Sequence, residues 1–265
     1  MSFATVNVHR RGAAATVELN RPDSMNAWNR RFSEDLGAAI AQVAGDAAIR
    51  AVCITGAGRA FSSGVDLKDV DAADVLPDGT LDVYKVLTER YHPIIAAIRA
   101  MPKPVVAAVN GPAVGIGLSL ALAADLVIAR ESAYFLLAFA NIGLVPDGGS
   151  SFMVPERIGL ARAAEMAMLA ERVPAPTALE WGLINRVAAD HAFDDEVAAL
   201  VDRLASGPTV ALAGAKRQLN AWLLQRMDEQ LQLEAQIQRE AAATEDFREG
   251  VAAFVERRPA AFRGR

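Results

Sequence analysis

The chain has 265 residues, 52% of them hydrophobic, and a formal net charge of −5 without a long basic run. That is ample apolar material for a sizeable core in one large or two small domains, and it argues against nucleic acid or an anionic membrane surface as a partner. The lone cysteine, Cys53, excludes an intrachain disulfide, and its place inside the apolar run 51–55 reads as a buried thiol.

In chain order, residues 5–8 and 15–19 read as two strands around the Arg10-Arg11-Gly12 turn. Phe32, Leu36, Ile40 and Val43 then recur at helical spacing, so a helix from about Asn29 covers the sheet before a strand at 51–55. The motif AFSSGVDL at 60–67 follows that strand. Residues 70–80 are rich in Asp and small side chains and predict a mobile loop. The pattern at 81–100 is helical, with Pro93 expected to kink it. A buried strand at 105–109 runs into the turn Asn110-Gly111-Pro112, and then into a glycine loop and an uncharged apolar helix at 118–124. A short strand at 126–129 and an apolar interior lining at 133–145 precede Pro146-Asp147-Gly148-Gly149, where Asp147 stands as a plausible helix N-cap. From residue 160 onward the pattern is helical, at 160–169, 176–181, 194–206, 209–224, 227–242 and 246–257.

Two glycine-bearing turns are the candidates for chemistry. Gly115 and Gly117 flank Ile116 at the start of a buried helix, where unpaired backbone N–H groups suit an anion or an oxygen that becomes one during a reaction. The glycines could instead only allow tight helix packing; a second stretch, AFSSGVDL, following another buried strand, raises the oxygen-cradle reading. A dinucleotide fingerprint is not met, because Leu120 stands where a third glycine is needed. His9, His92 and His191 lack ligand spacing, so no metal site is expected. No G-x-S-x-G elbow is present, and Ser119 reads as a core hydroxyl bonded to backbone. No apolar run reaches membrane-spanning length, the start carries no secretory signal pattern and Phe262-Arg263-Gly264-Arg265 is no peroxisomal address, which predicts a cytoplasmic protein.

Almost the whole chain resembles the crotonase (enoyl-CoA hydratase/isomerase) superfamily. The motifs that carry the resemblance are NRPDSMNAW at 20–28, AFSSGVDL at 60–67, the glycine loop, GLVPDGG at 143–149, ALEWGLI at 178–184 and the EG-x-x-AF-x-E-x-R-x-P-x-F ending from Glu249. Their order and spacing together are specific. The resemblance implies an α/β fold, a spiral of β-β-α units over residues 1–200, with a helical region at 201–265 that builds a homotrimer or a dimer of trimers. It also implies an acyl-CoA thioester substrate, with coenzyme A part of that substrate and no separate cofactor. Carried over residue by residue, the Val65 and Ile116 N–H groups form an oxyanion hole. Ser62, Ser63, Gly64, Asp66, Gly115, Gly117 and Phe139 border the substrate, and Lys68 and Arg21 lie near phosphates or are surface charges.

The departures from the family pattern narrow the reaction. Its hydratases use two glutamates where this chain has Ser119 and Phe139, neither able to exchange a proton near neutral pH. Asp147 instead matches the single acidic base of one group of enoyl-CoA isomerases and ring-opening epoxide isomerases. The expected activity is enoyl-CoA isomerisation, with a hydratase using an unusual base or an inert acyl-CoA-binding protein as alternatives. Asp147 is either base or helix cap.

Overall fold

The computed structural model describes residues 3–77, 79–223 and 226–265, with 222 and 223 described by backbone alone. Strands β1 (Val6–Arg11) and β2 (Ala14–Leu19) form an antiparallel hairpin, in register from Val6 opposite Leu19 to Arg11 opposite Ala14. Gly12 turns the chain at φ 59°, where a side chain is disfavoured. Helix α1 (Arg30–Gly45) follows, capped by Asn29, whose side chain accepts the Phe32 N–H at 2.8 Å. Its buried residues include Phe32, Leu36, Ile40 and Val43, the spacing seen in the sequence.

Strands β3 (Ala51–Gly56), β4 (Val105–Val109), β6 (Leu126–Arg130) and β9 (Arg186–Ala188) extend the sheet in parallel, giving the order β1-β2-β3-β4-β6-β9. Every residue of β4 is buried, as a continuous apolar run between two covered faces should be. A second layer is made from the short strands β5 (Ala113–Val114), β7 (Tyr134–Leu136) and β8 (Val173–Pro174), with single bridges joining Ser62 to Ala113 and Trp28 to Val65. Each turn of the spiral thus contributes a long strand and a short strand or bridge, with glycine in the connections after β3 and β4.

The loop expected at 70–80 carries local order in its first half: Asp71 caps a 3-10 turn at Ala72–Asp74, Val75 bridges Leu81, and the Arg90 guanidinium holds the Asp74 carboxylate at 3.0 Å. Helix α2 (Val83–Val86) passes into a π-helical turn at Leu87–Tyr91 and then into α3 (His92–Ala100), so the regular α-helical pattern is interrupted just before Pro93, whose missing N–H cannot continue it.

Helix α4 (Ile116–Ala123) is buried along its whole length. Helix α5 (Ser150–Leu169) is broken at Gly159, which adopts φ 77°. The remaining helices are α6 (Ala175–Trp181), α7 (Phe193–Ser206), α8 (Thr209–Leu223), α9 (Met227–Ala242) and α10 (Glu245–Glu256). One core lies between the sheet and α1, α3, α4 and α5; a smaller one places Cys53, Val106 and Ile128 against Phe193, Leu200 and Val201 of α7. Burial pushes the Cys53 thiol up to about 12, so it is an inert packing group. No helix among the described residues is long and apolar enough to cross a membrane.

The carbonyl end of α4 is where the helical layer fastens to the spiral. Arg99 donates to the Ala123 and Ala124 carbonyls, Arg157 to that of Leu122, and Lys216 of α8 meets the Asp125 carboxylate at 2.9 Å. Asp125 also accepts the Val105 N–H at 2.8 Å and lies 3.4 Å from Arg99. Cations at a helix C-terminus are favourable, but these are buried, and desolvation lowers the pKa of Arg99, Lys216 and Arg157. Replacing Asp125 with Ala should therefore strand buried charge and lower unfolding stability in urea by about 3–5 kcal/mol. A loss under about 1 kcal/mol would show that the cluster does not hold the layers together.

Candidate active site

A cavity of about 800 Å³ opens between the glycine turns, the π-helical turn, the segment after β7 and helix α10. Its apolar walls include Leu87, Tyr91, Phe139, Ile142, Leu144 and Phe247, while the exposed cations Arg59, Lys68 and Arg257 stand on its border. Gly64 and Gly115 bring the two turns together. A Cβ on Gly64 would lie 3.1 Å from the Val114 carbonyl oxygen and 4.0 Å from Gly115 Cα, and both glycines have positive φ, 92° and 54°. The residues that follow them, Val65 and Ile116, line the cavity, and neither backbone N–H has an acceptor among the described hydrogen bonds.

Asp147 lies in the same cavity, 6% exposed. Its position is fixed from several directions. The Ser119 hydroxyl, one turn into α4, donates to the Asp147 carbonyl at 2.7 Å, and the Ser150 hydroxyl donates to the same oxygen at 2.8 Å. Gly148 packs so closely on α4 that a Cβ there would sit 2.4 Å from Ile116 Cδ1 and 2.9 Å from Ser119 Cβ. The Gln238 amide donates to Asp147 Oδ2 at 2.8 Å, and Oδ1 is buried without a partner. Burial first, and then repulsion from Glu234, push the Asp147 pKa up to about 8 against the lowering effect of the Gln238 hydrogen bond.

The side chain of Asp147 is not the helix cap. Helix α5 starts at Ser150 behind Gly149, and the free N–H groups of Gly149 and Ser151 are taken by Glu234 of α9 at 2.8 and 3.1 Å. Burial raises Glu234 to about 7, while those N–H bonds favour its ionised form. His92 Nε2 stands 3.7 Å from Glu234; burial pulls His92 down to about 4, so it is a neutral packing group rather than an ion-pair partner.

Of the residues expected at the site, Ser63, Gly64, Val65, Asp66, Lys68, Gly115, Ile116, Phe139 and Asp147 border one cavity. Ser62 and Gly117 do not. The Ser62 hydroxyl donates to the Asn26 carbonyl at 2.9 Å in full burial, and Gly117 packs on that side chain, where a Cβ would come within 2.7 Å of it. Both serve close packing behind the turns. Arg21 is likewise internal, donating to the Ala27 carbonyl and pairing with Asp66 at 3.0 Å. Glu234 and Gln238 were missed. The signal was present in α9, whose core-facing stripe of Leu231, Ala235 and Ala242 also contains these two polar residues.

A family model described as enoyl-CoA hydratase/isomerase matches residues 9–265. The chain belongs to that family, within the crotonase superfamily. It is 44% identical to a probable enoyl-CoA hydratase of Rhodobacter capsulatus and 39% identical to the 1,2-epoxyphenylacetyl-CoA isomerase of Escherichia coli, each match covering 100% of both chains. Among solved structures, an enoyl-CoA hydratase of Mycobacterium avium subsp. paratuberculosis aligns with a TM-score of 0.89 at 40% identity, covering 99% of this chain and 100% of the other. The protein is therefore an enzyme of a superfamily that acts on acyl-CoA thioesters, and its relatives carry both hydratase and isomerase names.

The burial of Asp147 predicts a pH-dependent stability. An unfolded aspartate has a pKa of about 3.9, whereas Asp147 in the fold titrates at about 8. Between these values the folded chain holds a proton that the unfolded chain has released, so this group's contribution to stability falls as pH rises from about 4 to about 8. The variant Asp147→Asn should match wild type near pH 4 and exceed it by roughly 5 kcal/mol at pH 8.5. Urea unfolding at the two pH values measures this, and an equal difference at both would refute it.

Proposed function

We propose that the protein is an enoyl-CoA isomerase that works with one carboxylate and needs no cofactor beyond the coenzyme A its substrate carries. The observation that carries this reading is Asp147: a buried carboxylate with one unpartnered oxygen, in the same cavity as two unpaired backbone N–H groups. The thioester oxygen would accept hydrogen bonds from the Val65 and Ile116 N–H groups, which stabilise the enolate when an acyl-chain proton leaves. One such donor is worth about 3–4 kcal/mol in the transition state. Asp147 Oδ1 takes the proton from one carbon and returns it two carbons away, so substrate and product are isomers and the carboxylate is regenerated. The apolar wall formed by Leu87, Phe139, Ile142 and Leu144 suits the acyl chain. Only the ionised base is competent.

Purified protein should convert a trans-3-enoyl-CoA to the trans-2 isomer, with kcat/KM rising with pH up to about pH 8, where Asp147 titrates. Asp147→Asn should lower turnover by about 10²–10⁴-fold and leave acyl-CoA binding intact. Water addition to a trans-2-enoyl-CoA would favour a hydratase with an unusual base, and saturable binding without turnover an inert member.

We also propose a trimer or dimer of trimers. Val210, Leu219, Phe254, Leu160 and Met168 are more than half exposed, a distribution that suits contact with other subunits. Leu231, which the sequence offered for such a surface, packs into its own core instead, and the side chains of Trp222 and Leu223 lie outside the described residues. Light scattering at micromolar concentration should give three or six times the 28.1 kDa chain mass; a monomer would overturn this.

A further inference from the structure

Helix α9 contributes two fully buried polar side chains one turn apart, Glu234 and Gln238, and both reach the loop that carries Asp147. Glu234 holds the N–H groups of Gly149 and Ser151 after Asp147. Gln238 acts on the near side: its Oε1 accepts the Val145 N–H at 3.1 Å and its Nε2 donates to Asp147 Oδ2 at 2.8 Å. A backbone N–H can only donate, so the orientation of the Gln238 amide is determined by Val145. The amide nitrogen must then face Asp147, and Oδ2 must accept. Any proton on the carboxyl group is thereby confined to Oδ1, the oxygen that has no other partner.

We propose that Gln238 is the positioning residue of this site: bridging Val145 and Asp147, it fixes the carboxylate rotamer and reserves Oδ1 for proton exchange with the substrate. The assignment rests on Asp147 being the base. Gln238 also stabilises the ionised form of Asp147, opposing the burial and the Glu234 charge that raise its pKa. The other groups around Asp147 do not compete for this role. Tyr91, from the π-helical turn, is kept protonated by burial, His92 is neutral, Arg90 is engaged by Asp74, and the Ser119 hydroxyl is bound to the Asp147 carbonyl rather than to its carboxylate.

The test uses the full chain and two variants. Gln238→Met keeps the side-chain length but removes the donor; Gln238→Glu keeps the shape and sets a further carboxyl, besides Glu234, against Asp147. The Asp147 carboxyl titration is read in ligand-free protein by infrared difference against Asp147→Asn, and the pH profile of turnover is recorded alongside. Both variants should move the Asp147 midpoint up by about one pH unit or more. The low-pH limb of kcat should move with it, so that turnover at pH 7 falls about tenfold while KM changes little. A role in packing alone would lower thermal stability and leave both midpoints in place, and unchanged midpoints in either folded variant overturn the proposal. If Asp147→Asn retains turnover, the base assignment fails and the positioning role falls with it. A dead Asp147→Asn enzyme with unmoved Gln238 variants sinks the positioning role alone.

Discussion

A carboxyl group held out of water beside a second one is a costly arrangement, and the site is built around holding Asp147 in that place. Desolvation favours its neutral form. The fold fixes the group by its backbone, through the Asp147 carbonyl, which Ser119 and Ser150 both engage, and through Gly148, which lets the loop lie against the first turn of α4. Its carboxyl group is left with one hydrogen-bonded oxygen and one buried oxygen without a partner. A buried polar atom without a partner is rare in proteins and stores free energy that a substrate can release. Glu234 answers the nearby need to cap α5, and in doing so frees Asp147 from that duty.

Helix α4 links the two halves of this design. Its N-terminal residue Ile116 lines the cavity, and its C-terminal carbonyls are bound by Arg99 and Arg157. Those cations, with Lys216 and Asp125, also anchor α3, α5 and α8. The helix can therefore lack charged residues and still have its C-terminal carbonyls satisfied, while on the proposed function its N-terminal N–H groups meet the substrate. C-terminal helices contribute to the site as well as to its support, since α9 supplies Glu234 and Gln238 and α10 supplies Phe247 to the cavity wall.

The elements with a regular pattern were legible in the sequence: α1 from its four apolar positions, β4 from an unbroken apolar run, and the two glycine turns from their chemistry. What was not legible depended on direction and on distant partners. Ser62 and Ser63 are neighbours in an extended segment, so their side chains point to opposite sides, and only Ser63 reaches the cavity. The order at Asp74 and Val75 leaves no periodicity because it comes from Arg90, sixteen positions away, and from a single bridge to Leu81. Asp-Gly-Gly before a helix reads equally as a cap, and the choice between cap and base turned on Glu234, 87 positions further along the chain than Asp147. Such long-range pairings leave a trace only as polar residues on an apolar stripe.

The same geometry bears on why one carboxylate should favour proton return over water addition. Adding water requires a group that orients and deprotonates it and polar neighbours that hold it in place. Here the Ser119 hydroxyl is already committed to the Asp147 carbonyl, and the Phe139 ring reaches within 3.8 Å of a Cβ built on Gly115, filling space beside the glycine turns with hydrocarbon. If Asp147 is the base proposed above, an enolate formed beside it would meet the protonated carboxyl and an apolar wall, and return of the proton from the oxygen that removed it would need no further group. On that reading Ser119 and Phe139 do more than leave out two acids, since the first holds the Asp147 carbonyl and the second adds hydrocarbon to the cavity wall.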